Sequence, residues 1–366
     1  MLKIKVDRDK LHKAVSRVGN LTNNRAILPL LSNVLIESEN DNKIKLTTTD
    51  LELRMSTTLE AEIESKGKTT APARKLGSLV SNMSGAQLEI EADDKDHVSI
   101  KCGSGNFTLL GLSPKDFPEM ESSEFTHKVV IKENLLRRMI SAISYAVSAD
   151  DSRKVLTGVL FSLRGTNLVL VATDGKRMAI QNGSPESIEG GDLDVIVPLR
   201  AVNELRRVAE SENNMEIRIS DKFCSFIGEN FELSTKLIEG NYPDYMRVMP
   251  KSFEKSVEIP TELFKNKLQT VSLLLPDTNS CVILDLIGNQ MKISASSTEV
   301  GSGSDFIDIN YGKEDFEISF NPQFLIDPLN VAEKETVTLK LNDPLNPVVM
   351  ESDEGFSYVI MPIRKK

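Results

Sequence analysis

The feature that most constrains the fold of this chain is a long internal repeat. Four sequence blocks recur in the same order, and corresponding blocks lie about 125 residues apart. Each copy opens with a short strand and an amphipathic helix, then has a β stretch with a polar turn. A second helix follows a proline-containing strand, and a strand and tail close the copy. A repeat at a fixed long period predicts tandem copies of one structural unit.

The blocks match in residue type as well as in position. The openings are IKVDRDKLHKAVSRV from Ile4, VVIKENLLRRMISAI from Val129 and VEIPTELFKNKLQTV from Val257. The turn blocks are IKLTTTDLELRM from Ile44, LVLVATDGKRMAI from Leu168 and MKISASSTEVGSG from Met291. The second helices are APARKLGSLVSNM from Ala71, VPLRAVNELRRVA from Val197 and FNPQFLIDPLNVA from Phe320. The closing strands begin at Phe107, Phe231 and Tyr358.

The repeat predicts an α+β fold in which each copy packs two helices on β-sheets. Apolar and polar residues alternate at 87–100 and 215–227, which is typical of strands with one buried face. Polar stretches at 122–128 and 250–256 separate the copies. We therefore expect three domains, at residues 1–125, 126–252 and 253–366.

The distribution of charge matters more than its sum. The net charge of −10 disfavours a nucleic-acid partner if the charges are spread evenly. However, several helices combine an apolar stripe with a basic outer face, as in the first helix, where Leu11, Val15 and Val18 form the stripe. If equivalent helices share one surface, an acidic protein can still present a basic lining to DNA. The basic helix residues are Lys10, Lys13, Arg17, Arg74, Lys75, Arg137, Arg138, Arg200, Arg206, Arg207, Lys265 and Lys267.

The last helix departs from this pattern. It contains Asp327 and Pro328, and a proline inside a helix removes a backbone donor and kinks or shortens the helix. The basic lining is therefore weaker in the third copy.

No catalytic or metal-binding pattern is present in the sequence. The three histidines, His12, His97 and His127, and the three cysteines lack metal-ligand spacing, so neither a metal nor a cofactor is expected. Asp50 and Asp174 occupy the same place in two copies, and we expect each to cap a turn between strands. An alternative is a repeat-built carbohydrate or nucleotide hydrolase that uses these two carboxylates as a pair.

The sequence favours a cytoplasmic protein. No apolar run approaches the roughly 18 residues that a membrane span needs, and the N-terminal segment has no continuous apolar core that a signal peptide requires. The cysteines Cys102, Cys224 and Cys281 are few and odd in number, as in a reducing compartment.

Along nearly its whole length the chain resembles the bacterial sliding clamp family, the beta subunit of the replicative DNA polymerase. The matching segments are ILPLLSNVLI from Ile27, LTTTDLEL from Leu46, ATDGKRMA from Ala172, VPLRAVNEL from Val197, YPDYMRVMP from Tyr242 and the terminal YVIMPIR. The resemblance implies three clamp domains per protomer, a head-to-tail dimer that closes a six-domain ring around double-stranded DNA without reading its sequence, and no enzymatic activity.

The resemblance also implies a pocket that binds short motifs of the polymerase, the clamp loader and repair proteins. Two positions depart from the family: Lys176 stands where histidine is common, and Lys154 with Val155 replaces an aromatic pair seen in some members. The implied pocket residues, with Arg177 and Arg247 at the rim, are Leu156, Thr173, Gly175, Lys176, Arg177, Met178, Pro243, Arg247, Val248, Val359, Met361, Pro362 and Ile363.

Two further sets of residues follow from the resemblance. The implied DNA contacts are Arg25, Arg137, Arg200 and Arg206, and the implied dimer contacts are Phe107 and Leu109 on one protomer with Leu273 and Leu274 on the other. The basic residues that precede the phenylalanine in the family are replaced here by Ser104, Gly105 and Asn106. A scaffold that binds peptides but no DNA remains a second alternative.

Overall fold

The repeat appears in the computed structural model as three copies of one order of elements. The structure describes residues 2–22, 28–120, 124–276 and 280–364. Within these ranges each copy runs strand, helix, three strands, up to two further strands, helix, three strands. The chain is therefore three tandem α+β domains, as the sequence predicts. The boundaries near residues 125 and 252 remain predictions.

The first copy contains nine strands and two helices among its described residues. Its strands are β1 (Lys3–Asp7), β2 (Asn33–Ser38), β3 (Lys43–Thr49), β4 (Leu53–Glu60), β5 (Glu62–Ser65), β6 (Lys68–Pro72), β7 (Gln87–Ala92), β8 (His97–Cys102) and β9 (Gly105–Leu110). Its helices are α1 (Arg8–Gly19) and α2 (Ala73–Asn82). Helix α1 begins where Asp7 accepts a hydrogen bond from the amide of Lys10.

The second copy has the same order of elements. Its strands are β10 (His127–Lys132), β11 (Gly158–Arg164), β12 (Asn167–Thr173), β13 (Arg177–Gly183), β14 (Ser187–Glu189), β15 (Leu193–Pro198), β16 (Asn214–Ile219), β17 (Phe223–Ile227) and β18 (Phe231–Lys236). Its helices are α3 (Glu133–Ile143) and α4 (Leu199–Val208).

The third copy has one short strand fewer in its described part. Its strands are β19 (Lys255–Pro260), β20 (Val282–Ile287), β21 (Gln290–Ser297), β22 (Gly301–Asp308), β23 (Phe316–Phe320), β24 (Thr336–Leu341), β25 (Val348–Glu351) and β26 (Phe356–Ile360). Its helices are α5 (Thr261–Ser272) and α6 (Pro322–Leu329). Helix α6 is only eight residues long and ends one residue after Pro328, which agrees with the predicted shortening.

The predicted apolar stripes are the buried faces of the helices. Leu11, Val15 and Val18 are almost completely buried on α1, as are Phe264 and Leu268 on α5. These side chains pack against the sheets, so apolar burial holds each helix in place.

The described residues form two compact units that do not coincide with the three copies. The first unit comprises Met1–Asn134, Glu186–Gly190 and Arg207–Leu237, and the second comprises the rest of the chain. The first unit contains a sheet of order β5-β1-β7-β8-β9 and another of order β14-β10-β16-β17-β18-β4-β3-β2-β6. The second contains β15-β11-β12-β13-β26-β25-β24-β19 and β22-β21-β20-β23.

Each of the two larger sheets is built from strands of two successive copies. In the first unit β18 of copy two pairs antiparallel with β4 of copy one, with Leu233 opposite Met55. In the second unit β26 of copy three pairs in the same way with β13 of copy two, with Tyr358 opposite Ala179. Successive copies are thus joined by one repeated strand pairing. No helix in the described ranges is long and apolar enough to cross a membrane.

Candidate functional site

The predicted partner pocket corresponds to a depression in the second unit. The depression together with the open space at its mouth measures about 590 Å³. Ten of the thirteen predicted pocket residues line it: Leu156, Thr173, Gly175, Lys176, Arg177, Met178, Pro243, Val248, Val359 and Met361. Met178 and Val359 are buried, whereas Val248 and Met361 are 49% and 41% exposed. A concave, mainly apolar site with exposed apolar side chains can accept apolar anchors of a peptide.

The turn between β12 and β13 forms one wall of the depression. One carboxylate oxygen of Asp174 accepts hydrogen bonds from the amides of Lys176 and Arg177, at 2.8 and 3.0 Å. The Thr173 hydroxyl donates to the Arg177 carbonyl, and Gly175 adopts a φ of 86°, which favours glycine. The tail is fixed to this wall because the Met361 amide donates to the Lys176 carbonyl.

The turn in the first copy has the same geometry. One carboxylate oxygen of Asp50 accepts hydrogen bonds from the amides of Glu52 and Leu53, at 3.0 and 2.7 Å. The predicted capping role of Asp50 and Asp174 is therefore confirmed, and each carboxylate serves its own turn. In the third copy the Ser297 hydroxyl accepts from the amides two and three residues later.

Arg177, which the family resemblance places at the rim of the pocket, is largely buried. Its side chain is only 11% exposed and donates hydrogen bonds to Asp174, to Asp327 of α6 and to the Tyr145 carbonyl. Its guanidinium carbon also lies 4.6 Å from the centre of the Phe324 ring. Arg177 therefore ties the pocket wall to α6, and only part of it borders the depression.

The protonation states of this cluster follow from its burial. Burial by itself lowers the pKa of Arg177, but the hydrogen-bonded carboxylate of Asp327 outweighs it, so the pKa is raised and the group stays charged. Burial raises the pKa of the Tyr145 hydroxyl well above its usual value, and that of Tyr358 in the same direction. The cluster thus holds neutral tyrosines around a permanent cation.

Three predicted pocket residues do not line the depression as far as the structure describes it. The Arg247 side chain is 84% exposed and forms an ion pair with Asp244 at 2.9 Å. Pro362 and Ile363 are partly buried, and the Ile363 amide donates to the Ser319 carbonyl of β23, which holds this part of the tail on that strand. Two lining residues were missed, Asp244 and Tyr245, although they directly follow the predicted Pro243.

The internal repeat shows that the fold does not require an apolar pocket. Met178 on β13 lies opposite Val359 on β26. At the same place between β4 and β18, Arg54 lies opposite Ser234. The Met361 amide donates to the Lys176 carbonyl. At the equivalent place between β4 and β18 the residue is Lys236, whose amide donates to the Glu52 carbonyl. The same strand pairing therefore forms without apolar residues at these positions, so the apolar lining is specific to the pocket.

The predicted DNA contacts lie on helices, except Arg25, which lies outside the described residues. Arg137 on α3, and Arg200 and Arg206 on α4, are exposed. The predicted basic face of α5 is wrong, because both of its lysines are neutralised: Lys265 pairs with Glu262 at 2.6 Å and Lys267 with Asp305 at 2.7 Å.

The predicted dimer contacts lie beside two open sheet edges. β9 and β22 are edge strands of the two smaller sheets. Phe107 on β9 is 43% exposed, whereas Tyr358 and Leu233, which occupy its place in the strand pairings of the other two copies, are completely buried. The sequence alignment with Phe231 is therefore two residues out of register. Leu109 and Leu274 are half-buried, and Leu273 at the end of α5 is 81% exposed. The open edges expose apolar side chains that the equivalent strands bury.

Among the described residues no group of three or more histidines, cysteines or acidic residues could hold a metal ion. The half-buried and exposed groups around the depression offer no nucleophile paired with a base. The site is therefore chemically suited to binding.

Comparison with known proteins identifies relatives over the whole chain. Models of the DNA polymerase III beta subunit match at residues 2–121 (N-terminal domain), 130–244 (central domain) and 246–364 (C-terminal domain). The beta sliding clamp of Salmonella typhimurium is 31% identical over 369 residues, which cover 99% of this chain and 100% of that protein. The beta sliding clamp of Chlamydia muridarum is 30% identical over 363 residues, 99% of each chain.

A solved structure agrees with these matches. The sliding clamp from Pseudomonas aeruginosa bound to griselimycin superposes with a TM-score of 0.94 at 28% identity, and the match covers 100% of both chains.

Proposed function

Because the chain belongs to the DNA polymerase III beta subunit family, we propose that it is a DNA sliding clamp: a non-catalytic ring that encircles duplex DNA and tethers the replicative polymerase. Other replication and repair proteins, including the clamp loader, use the same pocket. The ring needs no cofactor, and it acts in the cytoplasm, where free cysteines such as Cys102 stay reduced.

The observation that carries this proposal is a strand pairing that can form at three equivalent places but forms at only two of them within one chain. Two junctions between copies are closed inside the chain, β4 with β18 and β13 with β26. The strands that correspond to these pairs at the two ends of the repeat are β22 and β9, and both are open edges. A second chain, arranged head to tail, can pair its β22 with β9 of the first chain and its β9 with β22 of the first chain, so that both of these edges are satisfied.

The internal junctions also predict the register of this pairing. Leu233 lies opposite Met55, and Tyr358 lies opposite Ala179. Phe107 pairs with Ile100 as Leu233 pairs with Phe226 and Tyr358 with Met350, so Phe107 is the counterpart of Leu233 and Tyr358. Gly303 pairs with Ala295 as Met55 pairs with Thr48 and Ala179 with Ala172, so Gly303 is the counterpart of Met55 and Ala179. Phe107 of one protomer should therefore face Gly303 of the other.

The apolar contact at this joint comes from Phe107, Leu109, Leu273 and Leu274. A Cβ atom added to Gly303 of β22 would lie 2.7 Å from Leu274, so Leu274 already packs beside the open edge. These leucines can cover the exposed Phe107 ring of the second chain. Burying such side chains removes apolar area from water and supplies most of the closing free energy.

The pocket receives the short motifs of the partners. Their apolar anchors would contact the exposed Val248 and Met361 side chains above the buried Met178 and Val359. Lys176 and Asp244 line the depression, and Asp244 forms an ion pair with Arg247; these three residues offer partners for polar groups of the peptide.

The proposal is tested by loading the protein on nicked circular DNA with its clamp loader and ATP, and then linearising the circle. Loss of the bound protein on linearisation is expected, because a ring linked by topology slides off an end. Equal retention on both forms would contradict encirclement and indicate surface binding. No retention on either form would favour the peptide-binding scaffold.

A further inference from the structure

The charges on the helices differ sharply between the three copies. Helices α1 and α2 carry six basic residues and one acidic residue, and α3 and α4 carry five basic and two acidic residues. Helices α5 and α6 carry two of each. The third copy therefore presents no net positive charge on its helices.

Ion pairs engage Arg8 and Lys10 on α1 but leave other basic residues of the first copy unpaired within the described ranges, whereas on α5 they engage every basic residue. Both lysines of α5 have a carboxylate within 2.7 Å, and the only charged residue of α6, Asp327, is engaged by Arg177. In contrast, the exposed side chains of Lys13, Lys75 and Arg137 form no ion pair within the described parts of the chain. These cations remain available to a polyanion.

Binding to the DNA backbone depends on such available cations. Each cation that neutralises a phosphate releases condensed counterions, and this release drives binding that is independent of base sequence. A lysine that already holds a carboxylate gains less, because the carboxylate repels the phosphate and must first be separated from the lysine. Helices α5 and α6 thus offer almost no counterion release.

We propose that the helices of the first two copies hold the duplex and that the third copy is an electrically neutral sector that does not contact phosphate. This inference rests on the proposed function, since it concerns how the clamp contacts the DNA it encircles. The three domains share a fold but have different roles: the first two attract DNA, and the third contributes Val359 and Met361 to the peptide pocket and forms one side of the dimer joint.

The test compares two matched double variants of the full-length dimer. Lys13→Gln/Lys75→Gln removes two cations from the first copy, and Lys265→Gln/Lys267→Gln removes two from the third. Affinity for a fluorescent linear duplex is measured by anisotropy over a range of salt concentrations. The slope of log affinity against log salt changes by about 0.9 for each phosphate that the protein no longer neutralises.

We expect the first variant to flatten the salt slope by about 1 to 2 for each protomer that touches the DNA, and the second to leave it unchanged. Equal flattening by both variants would overturn the inference. Sedimentation and thermal unfolding of each variant check that the dimer and the fold are intact, since Lys267 pairs with Asp305 of the edge strand β22.

A third variant tests the inference in the opposite direction. Glu262→Gln releases Lys265 from its ion pair, so the third copy gains one available cation. A steeper salt slope and tighter binding are expected, and an unchanged slope would contradict the explanation based on pairing. Retention of the unmodified protein on circular DNA separates the two proposals. If that protein is lost from the DNA on linearisation but both double variants flatten the salt slope equally, the clamp function stands and only this inference fails.

Discussion

The clearest stability prediction concerns Arg177. The internal repeat shows which residue the fold accepts at this position. Leu53 occupies the same position in the first copy, because its amide and carbonyl make the same turn hydrogen bonds. Arg177→Leu therefore fits the backbone but removes the hydrogen bonds to Asp174, Asp327 and the Tyr145 carbonyl.

The magnitude follows from the carboxylates that are left behind. The side chains of Asp327 and Asp174 are 16% and 19% exposed. Removing one partner of a buried pair costs about 3–5 kcal/mol. Here each carboxylate keeps other donors, Gln323 for Asp327 and two backbone amides for Asp174, and both are partly solvated. We expect a loss of about 2–3 kcal/mol in local stability.

Hydrogen exchange measured by mass spectrometry is the suitable assay, because a chain with two compact units need not unfold in one step. Amides at 173–178 and 356–361 should exchange about 30 to 150 times faster in Arg177→Leu. Arg247→Leu, which removes an exposed arginine near the same pocket, is the matched control and should exchange like the parent.

The double variant Arg177→Leu/Asp327→Leu isolates the pair. It should recover most of the lost protection, because no unpaired buried charge then remains on α6. Unchanged exchange in Arg177→Leu, or no recovery in the double variant, would refute the structural role of Arg177.

Three further predictions concern other elements. Leu51, with a φ of 80°, corresponds to Gly175; Leu51→Gly should raise the local free energy of unfolding at its turn by about 0.5–1 kcal/mol, and Gly175→Ala should lower it by about 1–2 kcal/mol, both measured by hydrogen exchange of the turn amides. Hydrogen bonds from Lys5 and then Lys3 lower the pKa of Glu64 to about 2. Its contribution is therefore present above pH 4.5 and lost as the pH falls towards 2, so melting temperatures of the parent and of Glu64→Gln should converge over that range. Burial raises the pKa of the Cys224 thiol, so at about pH 8 a thiol reagent should label the two partly exposed cysteines and reach Cys224 only after unfolding.

Much of the fold could be predicted because it is encoded locally and repeated. The order of strands and helices, the apolar stripe of Leu11, Val15 and Val18, and the turn-capping role of Asp174 depend on residues that are close in sequence. Pro328 likewise acts on its own helix. The repetition of each signal across copies distinguished it from a chance pattern.

The interactions that the sequence did not reveal join residues that are distant along the chain. Arg177 appeared to be a rim cation because its partner Asp327 lies 150 positions later. The neutralisation of Lys267 depends on Asp305, 38 residues away on a different element. The pocket members came from the family resemblance, which omitted Asp244 and Tyr245 even though they continue the same segment.

The central claim is that the chain tethers a polymerase through the pocket while it encircles DNA. The most direct test is the length of DNA that the replicative polymerase synthesises in one binding event on a primed circle. The parent protein is compared with Val248→Asp/Met361→Asp at equal amounts of ring on the DNA, because the clamp loader uses the same pocket. The account predicts long products with the parent and short products with the variant, since charges in the pocket exclude apolar anchors. Equal product lengths from two equally loaded proteins would contradict it.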